Sequence, residues 1–172
     1  MIGKCFITFI LDCYTFVSQF TTALKFEEAI KQKKFESDAQ KAYLNILYTA
    51  SWLQSESRDL YKKHGITSQQ YNVLRILRGQ YPNHANPKYI KDVMLDKNPD
   101  LTRLCDRLLK LGLIERAACP ENRRKMNIGI TDQGLALLET IDPEVSAYFE
   151  KIANNSKMDF AQLSDLLDSM RG

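Results

Sequence analysis

The sequence is short of the groups that most protein chemistry needs. It has two histidines, His64 and His84, and four cysteines, Cys5, Cys13, Cys105 and Cys119, in 172 residues. No two cysteines stand in a C-x-x-C spacing. A zinc site or a Cys–His catalytic pair therefore has little to be built from, and neither metal nor cofactor is expected. This cysteine usage suits a reducing cytoplasm. Seven Gly and five Pro are too few for a turn-rich all-β fold. No carboxylate pair, nucleophile–base set or phosphate-cradling loop is visible, so nothing supports an enzyme. Long apolar runs are missing too. Cys5–Leu11 is mostly apolar but closes at Asp12, far short of the ~20 apolar residues that span a bilayer. Ser18–Ala23 is a poor cleavage site for a secretory signal. Regular patterning begins only near Lys25, so residues 1–24 are read as a non-native or misassigned leader, with translation expected to begin close to Leu24.

What is present is ordinary in bulk and uneven in detail. Hydrophobic residues make up 44% and charged residues 26%, near the average for a globular domain. The net charge of +3 decides little. Its distribution says more: residues 86–130 carry ten basic and six acidic side chains, whereas 131–172 carry three and eight. The middle segment is the anion-facing part.

The apolar pattern predicts a mainly helical chain. A long helix should run from Ser37–Asp38 to about Lys63. It carries two apolar rows, Leu44, Leu47, Tyr48 and Trp52 on one and Tyr43, Ile46, Ala50, Leu53 and Leu60 on the other. Two stripes imply burial on two sides, against the chain's own core and against a second subunit. Gly65 closes this helix. Thr67-Ser68-Gln69-Gln70 is a capping-box start, and Tyr71, Val73, Leu74, Ile76 and Leu77 follow as a core helix ending at Gly79. Gln80–Ala85 reads as a polar loop. Asn86-Pro87 and Asn98-Pro99 each place a capping Asn before a helix-starting Pro. They predict a short helix over Pro87–Leu95, with Tyr89, Ile90, Val93 and Met94 inward, and a second over Pro99–Leu111, with Leu101, Leu104, Cys105, Leu108 and Leu111 inward. Two short helices joined by a tight turn make a helix-turn-helix. Leu113–Cys119 reads as a strand, Pro120–Arg123 as a turn and Arg124–Ile130 as a return strand with Met126, Ile128 and Ile130 on one face. Such a hairpin is a wing. Thr131 caps a following helix that Pro143 restarts, and Asp159 caps the last one.

With Leu101, Leu104 and Leu108 inward, Arg103, Arg107 and Lys110 share an outward face at spacings of four and three. Thr102 and Asp106 flank them, and Lys97, Asn98 and Asp100 precede them at the helix entry. Arg grips a guanine edge or a phosphate through two parallel hydrogen bonds, so this face is a candidate reader of duplex DNA. Arg123, Arg124 and Lys125 stand consecutively at the wing tip. Their mutual repulsion is tolerable only in solvent or against an anion, and a basic hairpin suits a minor groove.

The stretch Met94-Leu95-Asp96-Lys97-Asn98-Pro99-Asp100-Leu101-Thr102-Arg103-Leu104-Cys105-Asp106-Arg107-Leu108 resembles the recognition-helix segment of MarR family regulators. Gly112-Leu113-Ile114-Glu115-Arg116, Asn122-Arg123-Arg124 and Ile130-Thr131-Asp132-Gln133-Gly134 are similar to that family's strand entry, wing tip and wing exit, in the same order, and the likeness extends over about residues 38–170. It implies a winged helix-turn-helix with a two-stranded β-wing and long N- and C-terminal dimerisation helices. The implied divisions are dimerisation helices over 25–64, a DNA-binding lobe over 65–130 and further dimerisation helices over 131–172. It also implies a bacterial, cytoplasmic and nucleoid-associated homodimer that binds double-stranded DNA and has no membrane partner. Such a protein would act as a repressor on a pseudo-palindromic operator and be released by a small aromatic effector. Arg124 matches the wing residue that reaches the minor groove. Asn122 departs from the family's Asp; it can still hydrogen-bond but supplies no charge, so either the wing is looser than in the family or Arg116 and Arg124 are held in another way.

Other residues have blander readings. Tyr48, Trp52 and Tyr71 are candidates to line an effector pocket, although aromatics at helical spacing are more often core. Cys105, on the inward side of its helix, reads as a small buried hydrophobe. His64 reads as a complement to a helix dipole. The alternative function is a winged-helix protein-interaction module without DNA binding, against which the exposed Arg103, Arg107, Arg123 and Arg124 speak.

Overall fold

The computed structural model describes residues 25–119 and 122–172, the side chains of 119–125 excepted. The proposed leader with Cys5 and Cys13, the Pro120–Glu121 step of the wing turn and the side chains of Cys119, Asn122, Arg123, Arg124 and Lys125 lie outside the described residues. The chain forms two compact units that meet between Leu53 and Gln54. Helix α1 (Phe26–Ala29) and helix α2 (Asp38–Glu56) are followed by α3 (Arg58–Lys62), α4 (Ser68–Arg78), α5 (Pro87–Val93) and α6 (Leu101–Lys110). Strands β1 (Ile114–Cys119) and β2 (Asn122–Ile130) come next, then α7 (Asp132–Asn154) and α8 (Phe160–Arg171).

In the first unit, Phe26 is buried, stacked on Phe35 and set edge-on to Tyr48. This places Tyr48 in the local packing of the N-terminal segment. The two apolar rows of α2 are otherwise bare in the single chain: no residue of the helix is buried, and Tyr43, Leu47 and Trp52 are each at least half exposed. The predicted long helix is broken at Ser57, which separates α2 from α3.

The second unit holds the core. Val73, Leu74 and Leu77 of α4, Ile90 of α5, Leu104, Cys105 and Leu108 of α6, and Leu138 and Ile141 of α7 close around one another. Helix α4 begins as the sequence predicts: the Thr67 hydroxyl accepts from the Gln70 amide, and the Gln70 side chain accepts from the Thr67 amide at 2.9 Å. Helix α5 has its Asn86 cap and Pro87 at the first position. The parallel expectation for α6 needs correction. The helix starts two residues later than Pro99, and Asp100 is its cap, accepting from the Arg103 amide at 3.1 Å. Asn98 instead closes a turn, donating its amide to Asp96 Oδ1. Asn-Pro thus caps α5 but not α6, where Asp100 takes the cap and Asn98-Pro99 falls in the preceding turn.

Tyr89, Val93 and Leu111, read as inward, are exposed; within α5 only Ile90 is buried, and Leu111 lies at the C-cap of α6, past its last helical residue. Gly112, just past α6, has φ +69°, a left-handed turn that a side chain would strain.

Strands β1 and β2 pair antiparallel from Ile114 opposite Ile130 to Ala118 opposite Met126, with an irregularity between Ala118 and Cys119. Strand β2 starts at Asn122, so Asn122 and Arg123, assigned to the turn from sequence, belong to the return strand. Ile128 and Ile130 are buried but Met126 is exposed, since the wing outruns the core beneath it. Ala85, at the end of the stretch that reads as a polar loop, exchanges two backbone hydrogen bonds of 2.8 Å with Ile128 and adds a third rung at the wing base. Thr131 caps α7, accepting from the Gly134 amide. Pro143 lies inside one continuous helix and does not restart it. Asp159 caps α8, accepting from Ala161 and Gln162.

Candidate nucleic-acid interface

Helix α6 divides cleanly between its two faces. Leu101, Leu104, Cys105 and Leu108 are buried, and Thr102, Arg103, Asp106, Arg107 and Lys110 are exposed. The structure thus brings Arg103, Arg107 and Lys110 onto one outward face. Lys97, Asn98 and Asp100 are exposed at the helix entry. The turn that carries them is tied down. The Asn72 side chain accepts from the Leu95 amide at 3.0 Å, and Gln69 Nε2 donates to Asp96 Oδ2 at 2.6 Å. These bonds fix the entry of α6 to α4, so the outward face is presented by a rigid scaffold.

Asp106 has a different task from its cationic neighbours. Arg116 of β1 donates through Nη2 to Asp106 Oδ1 at 2.7 Å. The bond ties the wing to α6, and it is how Arg116 is held where residue 122 is Asn. The pair lies at the surface, with about half of the Asp106 side chain still exposed. Asp100 likewise is engaged as the helix cap. At the wing base, His84 lies 3.1 Å from Glu115 Oε1.

Two polar clusters that the sequence reading missed fasten α7 to the lobe. Asp142 accepts from the Tyr71 phenol at 2.8 Å and from Arg78 Nη1 at 2.6 Å, while Arg75 Nη1 donates to the Tyr71 oxygen at 3.0 Å. Burial works to raise the Asp142 carboxyl, and the bonds from Arg78 and Tyr71 outweigh it, so its pKa is held below the ordinary 3.8. Glu144 accepts from Lys63 at 2.7 Å and lies 3.0 Å from His64 Nε2, and the Lys63 bond, followed by that of His64, holds it below its ordinary value. His64 thus pairs with a carboxylate across 80 residues of sequence. No local pattern announces such pairs.

The three aromatics sit in different surroundings. Tyr71 is buried, packed on Tyr61 at 5.0 Å between centroids, with its phenol engaged by Asp142 and Arg75. Its ring is packed as core, the blander of its two readings. Tyr48 packs on Phe26, and Trp52 is exposed. Cys105 is 1% exposed, and burial pushes its thiol up to about 11. It is therefore a poor nucleophile at neutral pH, as its inward position suggested. Among the described residues no cluster of metal ligands occurs, and no helix is long and apolar enough to cross a membrane.

Comparison with known proteins places this geometry. The family model described as MarR family matches residues 66–126, which run from the start of α4 into the wing. The homoprotocatechuate degradative operon repressor of Escherichia coli is 27% identical over 72% of this chain and 82% of its own length. The crystal structure of a Staphylococcus aureus MepR–DNA complex shares the fold at a TM-score of 0.64 and 20% identity, over 75% of this chain and 94% of that one. A MarR transcription factor from Planctomyces limnophilus is 33% identical, with a TM-score of 0.61 over 80% of this chain and 98% of that one. With that identity over nearly the whole of a member, the chain belongs to the MarR family of winged helix-turn-helix transcription regulators, a family of regulators and not of enzymes.

Proposed function

We propose that this protein is a repressor that binds a pseudo-palindromic operator as a homodimer. The observation that carries the reading is the outward face of α6. Arg103, Arg107 and Lys110 stand exposed on a helix whose entry is bonded to α4 and whose flank is bonded to the wing. Within that reading, Thr102 and Arg103 contact base edges, Lys97, Asn98 and Lys110 contact phosphates, and Arg123, Arg124 and Lys125 of the wing enter the adjoining minor groove. Arg116 and Asp106 hold the wing, with Asn122 at its tip.

Dimerisation is supported by the bare apolar rows of α2 and by Leu163, Leu166 and Met170 of α8, all exposed in the single chain, a surface that a lone soluble protein rarely leaves open. Two-fold symmetry then sets half-sites about one helical turn, ~34 Å, apart. A small aromatic effector would release DNA by stabilising a lobe separation that does not match the operator.

The test is a fluorescence-anisotropy titration against the protein's own promoter region and a scrambled duplex at two salt concentrations. Salt-sensitive binding that prefers the promoter is expected. A folded dimer that binds neither duplex removes the repressor reading in favour of a protein-interaction module.

A further inference from the structure

Beside α6 lies a groove of about 470 Å³ that the recognition face alone does not explain. Its lining combines apolar Ile66, which is buried, and Leu111 with the exposed cations Lys62, Arg107 and Lys110. Among the described residues none of these three cations has a carboxylate partner. The contrast with their neighbours is sharp: Lys63, one residue away, is paired with Glu144, and Arg116 is paired with Asp106. Three unpaired positive charges around one concavity repel one another, and an anion relieves that repulsion. The α4 start at Thr67 and Gln70 also lines the groove, and the positive end of the helix dipole adds to the same field.

We propose that this groove is a clamp for the phosphate backbone of DNA, with Lys62 as a binding residue outside the helix-turn-helix and the wing. The occupant follows from continuity. Arg107 and Lys110 belong both to the groove and to the outward face of α6, so a duplex engaged by Arg103 brings its strand along the same row of charge toward Lys62. Contacts of this kind fix register and add salt-dependent affinity without reading sequence. The inference rests on the DNA-binding reading above.

The experiment compares wild type, Lys62→Gln, Lys62→Arg and Lys63→Gln by anisotropy, on the promoter duplex and a scrambled one, between 50 and 200 mM salt. Lys63→Gln removes the same charge from the adjacent residue and serves as the control for general electrostatics. Losing one phosphate contact should lower the slope of log K against log salt by about 0.9. The salt-induced loss of affinity over this range then shrinks about threefold. Lys62→Gln is expected to show this change equally on both duplexes, Lys62→Arg to restore it and Lys63→Gln to leave the slope as in wild type. A Lys62→Gln slope equal to that of wild type or of Lys63→Gln overturns the clamp and leaves the repressor reading standing. Wild-type protein that binds neither duplex overturns both.

Discussion

Arg103 and Asp106 lie three residues apart on one helix, yet their surroundings give them opposite tasks. Arg103 is exposed, and among the described residues its guanidinium has no carboxylate partner. Asp106 accepts from Arg116 and holds the wing. Replacement should separate the two roles. Arg103→Ala is expected to weaken binding to the cognate duplex by ~1–3 kcal/mol more than to a scrambled one, the worth of a lost base contact. Parallel titrations check this, and an equal loss on both duplexes reassigns Arg103 to a phosphate. Asp106→Asn keeps the shape and removes the charge. It should weaken both duplexes alike, because it frees the wing, and raise amide exchange in β1 and β2 while α6 stays protected. An unchanged exchange pattern would show that the ion pair does not set the wing.

At the scale of elements, the lobe depends on closures at helix ends. Thr67 satisfies an amide that α4 would otherwise leave open, and Thr67→Ala should cost about 1 kcal/mol in chemical denaturation. The approach of α7 to the wing entry is closer still. A Cβ built on Gly134 would meet the Leu113 carbonyl oxygen at 2.3 Å and Ile130 Cγ1 at 2.7 Å. Backbone cannot yield as a side-chain tip can, so Gly134→Ala should destabilise by ~1–3 kcal/mol despite its better helix propensity. A neutral or stabilising result would mean that α7 can shift outward.

The Asp142 cluster couples α4 to α7 and gives the stability a pH dependence. The folded carboxyl lies below 3.8, against the desolvation that burial brings, because Arg78 and Tyr71 bond to its charged form. A depressed carboxyl contributes stability above its unfolded value and loses it as pH falls through the folded one. Denaturation midpoints should therefore drop below pH ~4 in wild type, and Asp142→Asn should lose stability at neutral pH while flattening that drop. An identical pH profile in the variant would place the acid sensitivity elsewhere.

For the whole molecule, the decisive quantity is the apolar surface that the single chain leaves bare. Trp52 is 51% and Leu166 62% exposed. Both suit a homodimer interface. Leu166→Glu places a charge where the proposed partner would desolvate it, and sedimentation equilibrium should show a shift to monomer. Operator affinity should fall with it, because a monomer engages one half-site only. A variant that stays dimeric would exclude α8 from the interface.

The sequence by itself determined whatever short-range chemistry decides. Thr67, Asn86, Thr131 and Asp159 cap the helices they are expected to cap, and the inward rows of α4 and α6 are buried except at Ile76, partly covered, and Leu111, exposed, because caps and periodicity act over three or four residues. Where two local signals competed, as at Pro99 and Asp100, pattern alone could not rank them. Only the tertiary structure decided which polar groups meet. Asp106 with Arg116, Asp142 with Tyr71 and Arg78, Glu144 with His64 and Ala85 with Ile128 are pairings across 10 to 80 residues. The fold brings such groups within a few ångströms through the burial of other side chains, and no spacing in the chain encodes that distance.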